Sequence, residues 1–459
     1  MEHSEFIVGL DIGTTKIVAI AGRLNQYGKV EVISMGRAES FGVKRGVVAN
    51  IEKTIASIQQ AVNQACEIAD IDMHQAYVGI AGQHIKSLQH RGVLVRDDIE
   101  SEISIEDIQK IKSDMYKLIL PPGDRIIHVL PQEFIVDDEQ GIKDPVGMAG
   151  IRLEANFHMI TGQTTAARNI QKCVNRASLE VADLILEPLA SAEAVLSKDE
   201  LEAGVALVDI GGGTTDIAIF QDGIIRHTAV IPFGGDIVTE DIKEGCMIMG
   251  NQAEQLKKEF GSALAHLAQA NEIVAIPRLR GREPKEISVR SLAQIIQARM
   301  EEILEQVRWE IRASGFENKL IAGIVLTGGG SQLKHIVQLA EYTTGLDARV
   351  GLPNEHLAKS DIEGINNPMY ATAIGLIIKG ALAEAEENSD DEYEVDEQKI
   401  AHFQQEEKEN EVLVAQHVEP EEETQQTQKK RKVWFQKFFS PNEFKKWFED
   451  DDYIEFDND

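Results

Sequence analysis

The chain has 459 residues, and 77 acidic side chains outnumber 46 basic ones for a formal net charge of −31. A hydrophobic fraction of 43% supports a large core, divided at this length into roughly two to four domains. The acidity excludes a general nucleic-acid binder, which needs a basic face for phosphates, and excludes wholesale membrane adsorption unless one local segment opposes the global sign.

In chain order, residues 1–383 read as globular α/β. Strand-like runs at 6–12, 16–21, 205–210, 216–220 and 321–327 are β-branched and glycine-bounded. Between them, residues 54–70, 106–118, 291–314 and 332–343 carry apolar residues at helical spacing. Ser104-Ile-Glu-Asp107 has the form of a capped helix start. Cys66, Cys173 and Cys246 form no CxxC pair and no disulfide framework, so a reducing cytoplasm is expected. Glu2 and Glu5 stand where a signal peptide would be basic. No run approaches the ~20 apolar residues of a membrane span; the longest candidate, residues 371–383, is interrupted by Lys379 and glycines.

Residues 384–428 differ in kind. They hold 17 Asp and Glu against Lys399 and Lys408. Such a composition cannot bury enough apolar surface to offset chain entropy, so a disordered linker is expected, spanning roughly 40 Å or more; an exposed acidic helix is the alternative. Residues 429–459 change again, with two of the three tryptophans and six of the fifteen phenylalanines. Val433, Trp434, Phe435, Phe438 and Phe439 can share one face of a short helix that Pro441 should break. Ser440-Pro-Asn-Glu443 then reads as a fresh capping box, and Phe444, Trp447 and Phe448 make a second apolar stripe. The flanking cations include Lys430, Arg431, Lys432, Lys437, Lys445 and Lys446. Aromatics beside cations suit an interfacial helix on an anionic membrane. The acidic end, 449–459, would resist such a surface and keeps a protein-binding amphipathic motif open.

An internal repeat carries the chemistry. Leu10-Asp-Ile-Gly-Thr-Thr-Lys-Ile-Val-Ala-Ile20 and Val208-Asp-Ile-Gly-Gly-Gly-Thr-Thr-Asp-Ile-Ala-Ile219 share one pattern: a strand ending in Asp, a glycine-threonine turn, a second strand. Two copies point to two similar domains facing one another. Gly13, Gly211, Gly212 and Gly213 let backbone amides approach an anion closely. Thr14, Thr15, Thr214 and Thr215 add hydroxyls, Lys16 adds a positive charge, and Asp11 and Asp209 are hard oxygen groups suited to Mg²⁺ or its waters. One such hairpin would be an ordinary turn. A third element strengthens the pair: Gly323-Ile-Val-Leu-Thr-Gly-Gly-Gly-Ser-Gln-Leu333 reads as strand, turn and helix start, where a ligand could rest on Gly328, Gly329 and Gly330 near the helix's positive end. Neither a Walker A loop nor a Rossmann fingerprint is present.

These three motifs resemble the two phosphate motifs and the adenosine motif of the actin-like ATPase superfamily. Leu186-Glu-Pro-Leu-Ala-Ser-Ala192 and Tyr370-Ala-Thr-Ala-Ile-Gly375 are similar to its two connecting motifs. The resemblance implies a two-domain α/β fold of duplicated ribonuclease-H-like domains that binds ATP with Mg²⁺. It implies further that Glu187 positions water or the metal, that Gly234 and Gly235 line the nucleotide, and that Glu254 and Lys257 contact adenosine. Glu254-Gln-Leu-Lys257 also has the spacing of an ordinary solvated ion pair.

Within the superfamily, residues 76–163 look like the strand-helix-strand-strand insert, subdomain 1C, of the FtsA family of bacterial cell-division proteins. The strand beginning at Ala76 is expected to open it, followed by the capped helix and strands at 125–136 and 152–160. The resemblance implies subdomain 1A at 1–84 and 164–200, the insert (SHS2-like) at 85–163, 2A at 201–227 and 309–383, and 2B at 228–308. It implies a polymer on the cytoplasmic face of the inner membrane at the division site, anchored by 429–448. This polymer would tether FtsZ filaments, bound by their C-terminal peptide on 2B, and recruit later division proteins. Hydrolysis would be slow at most, since no strong general base stands out. Alternatives are a scaffold of the PilM type, which shares the insert, and a small-molecule kinase of the same fold, for which no acceptor base is marked.

Overall fold

The computed structural model describes residues 6–96, 101–269, 271–278, 283–360 and 362–389, with side chains through residue 385. The aromatic segment and most of the acidic stretch lie outside the described residues. Contacts gather the chain through Glu386 into one unit.

Two five-stranded sheets repeat one topology. The first runs Glu180–Leu186, Gln75–Ile80, Ile7–Ile12, Lys16–Leu24, Val30–Glu39 across its width. The second runs, from the opposite edge, Ile224–Ile231, Thr215–Gln221, Val205–Ile210, Ile324–Thr327, Ala348–Val350. In each, a central strand pairs antiparallel with its hairpin partner and parallel with its other neighbour. Ile7–Ile12 is buried along its whole length, as expected of central strands covered on both faces. Helices Ile51–Ala69 and Thr164–Arg176 cover the first sheet, and Val289–Ala313 packs in the second domain's core.

Between the two domains run two connecting helices, Glu187–Val195 and Ala371–Ser389. Glycine permits their contact: a Cβ on Gly375 would lie 1.8 Å from the Ala190 carbonyl oxygen. The second helix continues to Ser389, six residues past the expected start of the linker at 384. Alanine and glutamate are good helix formers, so an acidic composition there extends the helix rather than ending it.

The insert is a four-stranded antiparallel sheet in the order Lys86–Val95, Arg152–Gln163, Asp124–Val136, Glu139–Ile142. Its helix Ile105–Tyr116 starts at the expected capping box, with Ser104 and Asp107 exchanging side-chain and backbone bonds. One expectation is corrected. The strand beginning at Ala76, observed as Gln75–Ile80, belongs to the first domain's sheet, and the insert opens with Lys86–Val95 instead. That strand was illegible because it lies at the sheet's edge and Lys86, Gln89, His90 and Arg91 are exposed, leaving no hydrophobic alternation to read.

The insert touches both domains. His128 Nε2 accepts the Leu186 amide at 3.0 Å. Gln132 Nε2 donates to the Ile225 carbonyl at 2.5 Å, and Lys143 pairs with Glu202 at 3.0 Å. His158 lies between Gln89 and Thr228. Burial pushes both His128 and His158 down to about 4, aided by Lys379 at the first and His227 at the second. The unfolded chain therefore takes protons on these rings near pH 6.5, well before the folded one does. Stability from these groups is expected to rise with pH between about 4 and 6.5. Urea midpoints measured across that range will test this. His128→Gln, which keeps an acceptor for Leu186, should flatten the slope; an unaltered slope contradicts the assignment.

Candidate functional site

The two glycine-threonine turns meet. A Cβ on Gly212 would lie 2.3 Å from Thr15 Cγ2, and one on Gly213 would lie 2.6 Å from Thr14 Oγ1. Side chains at either glycine would force the turns apart. In the first turn, Gly13 follows the strand that ends at Ile12, and Thr14 Oγ1 accepts the Gly46 amide at 3.2 Å. In the second, the Gly211 amide closes onto the Thr214 carbonyl at 2.9 Å. Helix Gly235–Cys246 begins directly against it: the amides of Gly235 and Asp236 donate to the carbonyls of Gly211 and Gly212, each at 2.8 Å. Gly234 is required there, since a Cβ would fall within 2.8 Å of three carbonyl oxygens. Thr215 Oγ1 donates to the Phe233 carbonyl at 2.9 Å, fastening strand to turn.

Glu254 and Lys257 reach the same place. Lys257 Nζ pairs with Glu254 at 2.6 Å and donates to the Gly235 carbonyl and to Thr239 Oγ1, both at 2.8 Å. Burial raises the Glu254 carboxyl, but Lys257, Thr239 and Lys258 outweigh it and hold it below the usual range. The pair is therefore tied to the glycine turn and is not simply a solvated surface bridge.

Charge gathers around one ammonium. Lys16 Nζ pairs with Asp11 Oδ2 at 2.8 Å. Burial pulls its pKa down, yet Asp11, Asp209 and Glu187 together hold it above the ordinary lysine value. Burial pushes the Glu187 carboxyl well up, reinforced by Asp11, Asp216 and Asp209. Gly79 leaves room for this side chain; a Cβ there would sit 3.0 Å from Glu187 Cγ. Asp209 is raised to about 6, by burial first and by Asp11, against the opposing pull of Ser191, Lys16 and Thr372. Asp216 is raised to about 7 by burial and by Asp209. Its Oδ2 accepts from Thr214 at 2.8 Å while its buried Oδ1 has no partner. The cleft holds more carboxyl groups than one ammonium can balance, so they take up protons.

The third glycine turn also borders this cluster. Gly328 has φ +80°, and a Cβ on it would lie 2.2 Å from Asp209 Oδ1. Gly330 packs against Ile210, whereas Gly329 faces open space. One expectation fails here. No α-helix starts at the turn: a 3-10 segment covers Gly329–Gln332, and the helix begins at Ile336. Leu333 is extended and His335 is left-handed at φ 63°, so the chain breaks between them. Any ligand held there rests on the glycine backbone rather than on a helix terminus.

Sequence reasoning had passed over Ser191, Thr372 and Asp216. All three lie inside motifs that were legible, and a hydroxyl or carboxyl among alanines and isoleucines was the available signal. The aromatic and basic residues from Lys430 to Phe448 lie outside the described residues.

Comparison with known proteins agrees with this geometry. Residues 206–375 match the family described as Cell division protein FtsA, and residues 82–161 match the SHS2 domain inserted in FTSA. The cell division protein FtsA of Pseudomonas aeruginosa is 44% identical over 380 residues, covering 83% of this chain and 90% of that protein. Its counterparts in Neisseria meningitidis and Escherichia coli K12 are 39% and 36% identical, each over 82% of this chain and 90% of the relative. Among solved structures, the PilM-PilN type IV pilus biogenesis complex aligns with TM-score 0.57 at 16% identity, covering 82% of this chain and 98% of that one. MreB5 of Spiroplasma citri bound to ADP aligns with TM-score 0.50 at 15% identity, covering 84% and 99%. Those structures establish the actin-like fold alone; the sequence relatives separate FtsA from the PilM alternative. The chain belongs to the FtsA family of cell division proteins.

Proposed function

We propose that the cleft binds ATP with Mg²⁺, and that the nucleotide-bound chain polymerises and tethers FtsZ filaments to the cytoplasmic face of the inner membrane at the division site, where it recruits later division proteins. The observation that carries the nucleotide reading is the meeting of the two glycine-threonine turns beside Asp11, Lys16 and Asp209. The residues fit the ligand. Backbone amides at Gly13, Gly212 and Gly213, with the Thr14 and Thr15 hydroxyls, suit phosphate oxygens, and Lys16 supplies countercharge; the Gly211 amide and the Thr214 and Thr215 hydroxyls are donated within the second turn and shape it. The surplus of carboxyl groups suits a divalent cation. Among the described residues no three acidic, histidine or cysteine groups converge as a direct ligand set. Asp11 and Asp209 would therefore hold Mg²⁺ through its waters, with phosphate as its direct ligand. When bound, Mg²⁺ would neutralise charge on the phosphates.

Gly234, Gly235, Gly328, Gly329 and Gly330 would face the adenosine, with Glu254 and Lys257 at its edge. Glu187 would position water. Burial and the neighbouring carboxylates raise its pKa well above the usual carboxylate range. The FtsZ C-terminal peptide would bind on residues 228–308. A surface groove of about 360 Å³ there, lined by His266, Arg290, Gln294 and Gln297, would take it. The acidic linker and the amphipathic segment 429–448 support the tether: like charges extend the spacer, and aromatic stripes with flanking cations suit an anionic surface.

Three measurements test this reading. Asp209→Ala is expected to weaken Mg·ATP binding about tenfold or more by calorimetry; equal affinity contradicts the assigned site. The full chain should sediment with anionic vesicles, whereas a chain shortened to end at Ser389, or one carrying Trp434→Glu with Phe438→Glu, should stay in solution. Equal sedimentation of all three would sink the tether. Arg290→Glu should reduce FtsZ capture on those vesicles while leaving vesicle binding intact; undiminished capture moves the contact elsewhere.

A further inference from the structure

Asp209 ends the second domain's central strand, and both oxygens of its carboxylate are constrained. Oδ2 accepts from Ser191 Oγ at 3.0 Å and lies 3.5 Å from Thr372 Oγ1, and the two hydroxyls are 2.9 Å apart. Oδ1 faces Gly328, where no side chain would fit. Ser191 is fully buried and Thr372 nearly so. Each hydroxyl has one proton to give. Ser191 gives its proton to Asp209, and the Thr372 hydroxyl lies within reach of both Ser191 Oγ and Asp209 Oδ2, so the two hydroxyls form one cluster on the carboxylate.

The two hydroxyls belong to different connecting helices, Ser191 to the first and Thr372 to the second. Their neighbours are Ala190, Ala192, Ala371 and Ala373, so alanine would meet the packing need at either position. Buried hydroxyls cost free energy unless they are bonded; here both are spent on one carboxylate. The cluster also sits next to the helix crossing, where Gly375 lies against Ala190.

We propose that Ser191 and Thr372 are positioning residues that aim the Asp209 carboxylate at a hydrated cation in the cleft. This inference rests on the nucleotide reading given above. Asp11, in the first domain, is instead paired directly with Lys16.

The test is calorimetry of ADP binding to the full chain, with Mg²⁺ and again with EDTA. Ser191→Ala combined with Thr372→Val removes both hydroxyls at nearly constant volume. The double variant should lose about tenfold of the affinity that Mg²⁺ adds, while its affinity in EDTA stays within about twofold of the parent. Ser191→Ala with Thr372→Ser should recover part of the loss, and Thr372→Ser alone should match the parent. Where the double variant fails to fold by circular dichroism, Ser191→Ala alone carries the test, because it only removes an atom. An undiminished Mg²⁺ effect overturns the inference, as does a Thr372→Ser variant as impaired as Thr372→Val. A parent that binds ADP without any gain from Mg²⁺ overturns the inference and leaves the nucleotide cleft standing. A parent that binds no ADP removes both.

Discussion

The closeness of the two connecting helices is the constraint on which the rest depends. Gly375 meets the Ala190 backbone with no room for a Cβ, and the same helix lies on the first sheet with equal intimacy: a Cβ on Gly9 would come within 2.5 Å of the Ala373 carbonyl oxygen. Packed interiors do not absorb such overlaps; the elements must separate. Separation here would move Ser191 from Thr372, release Asp209 and alter the spacing of the facing glycine turns. One residue type at one crossing thus holds together features that are far apart in sequence.

Electrostatics gives the cleft its second property. Burying carboxylates without countercharge is costly, and the groups respond by retaining protons. Glu187, Asp209 and Asp216 all have raised pKa values, with Lys16 as the local compensation. Such a site is chemically unsatisfied by its own side chains. On the proposed reading, a cation with phosphates would displace part of that protonation, so its binding would release protons.

The insert adds a third restraint. It is built on its own core of Ile103, Ile111, Met115, Phe134 and Phe157, yet it is bonded to the first domain through His128 and to the second through Gln132, Lys143 and His158. The residue after Leu186, whose amide His128 accepts, is Glu187. The backbone leading into Glu187, whose carboxyl burial raises, is therefore fixed in part by a side chain from the insert. The global charge of −31 describes none of this; about half of it belongs to residues 384–428.

The sequence by itself determined the repeated hairpins and the glycine turns, because each is a local pattern of strand, turn and strand. It did not determine where the strand Lys86–Val95 lay, because an exposed edge strand has no buried face to impose alternation. It misplaced the helix after Gly330, and it started the acidic linker at 384, where the helix runs on to Ser389. Most of all, it could not show that Ser191 and Thr372, 181 positions apart, share one carboxylate. Only the tertiary structure decided that, because the contact arises from two helices crossing at a glycine, and no spacing along the chain encodes a crossing.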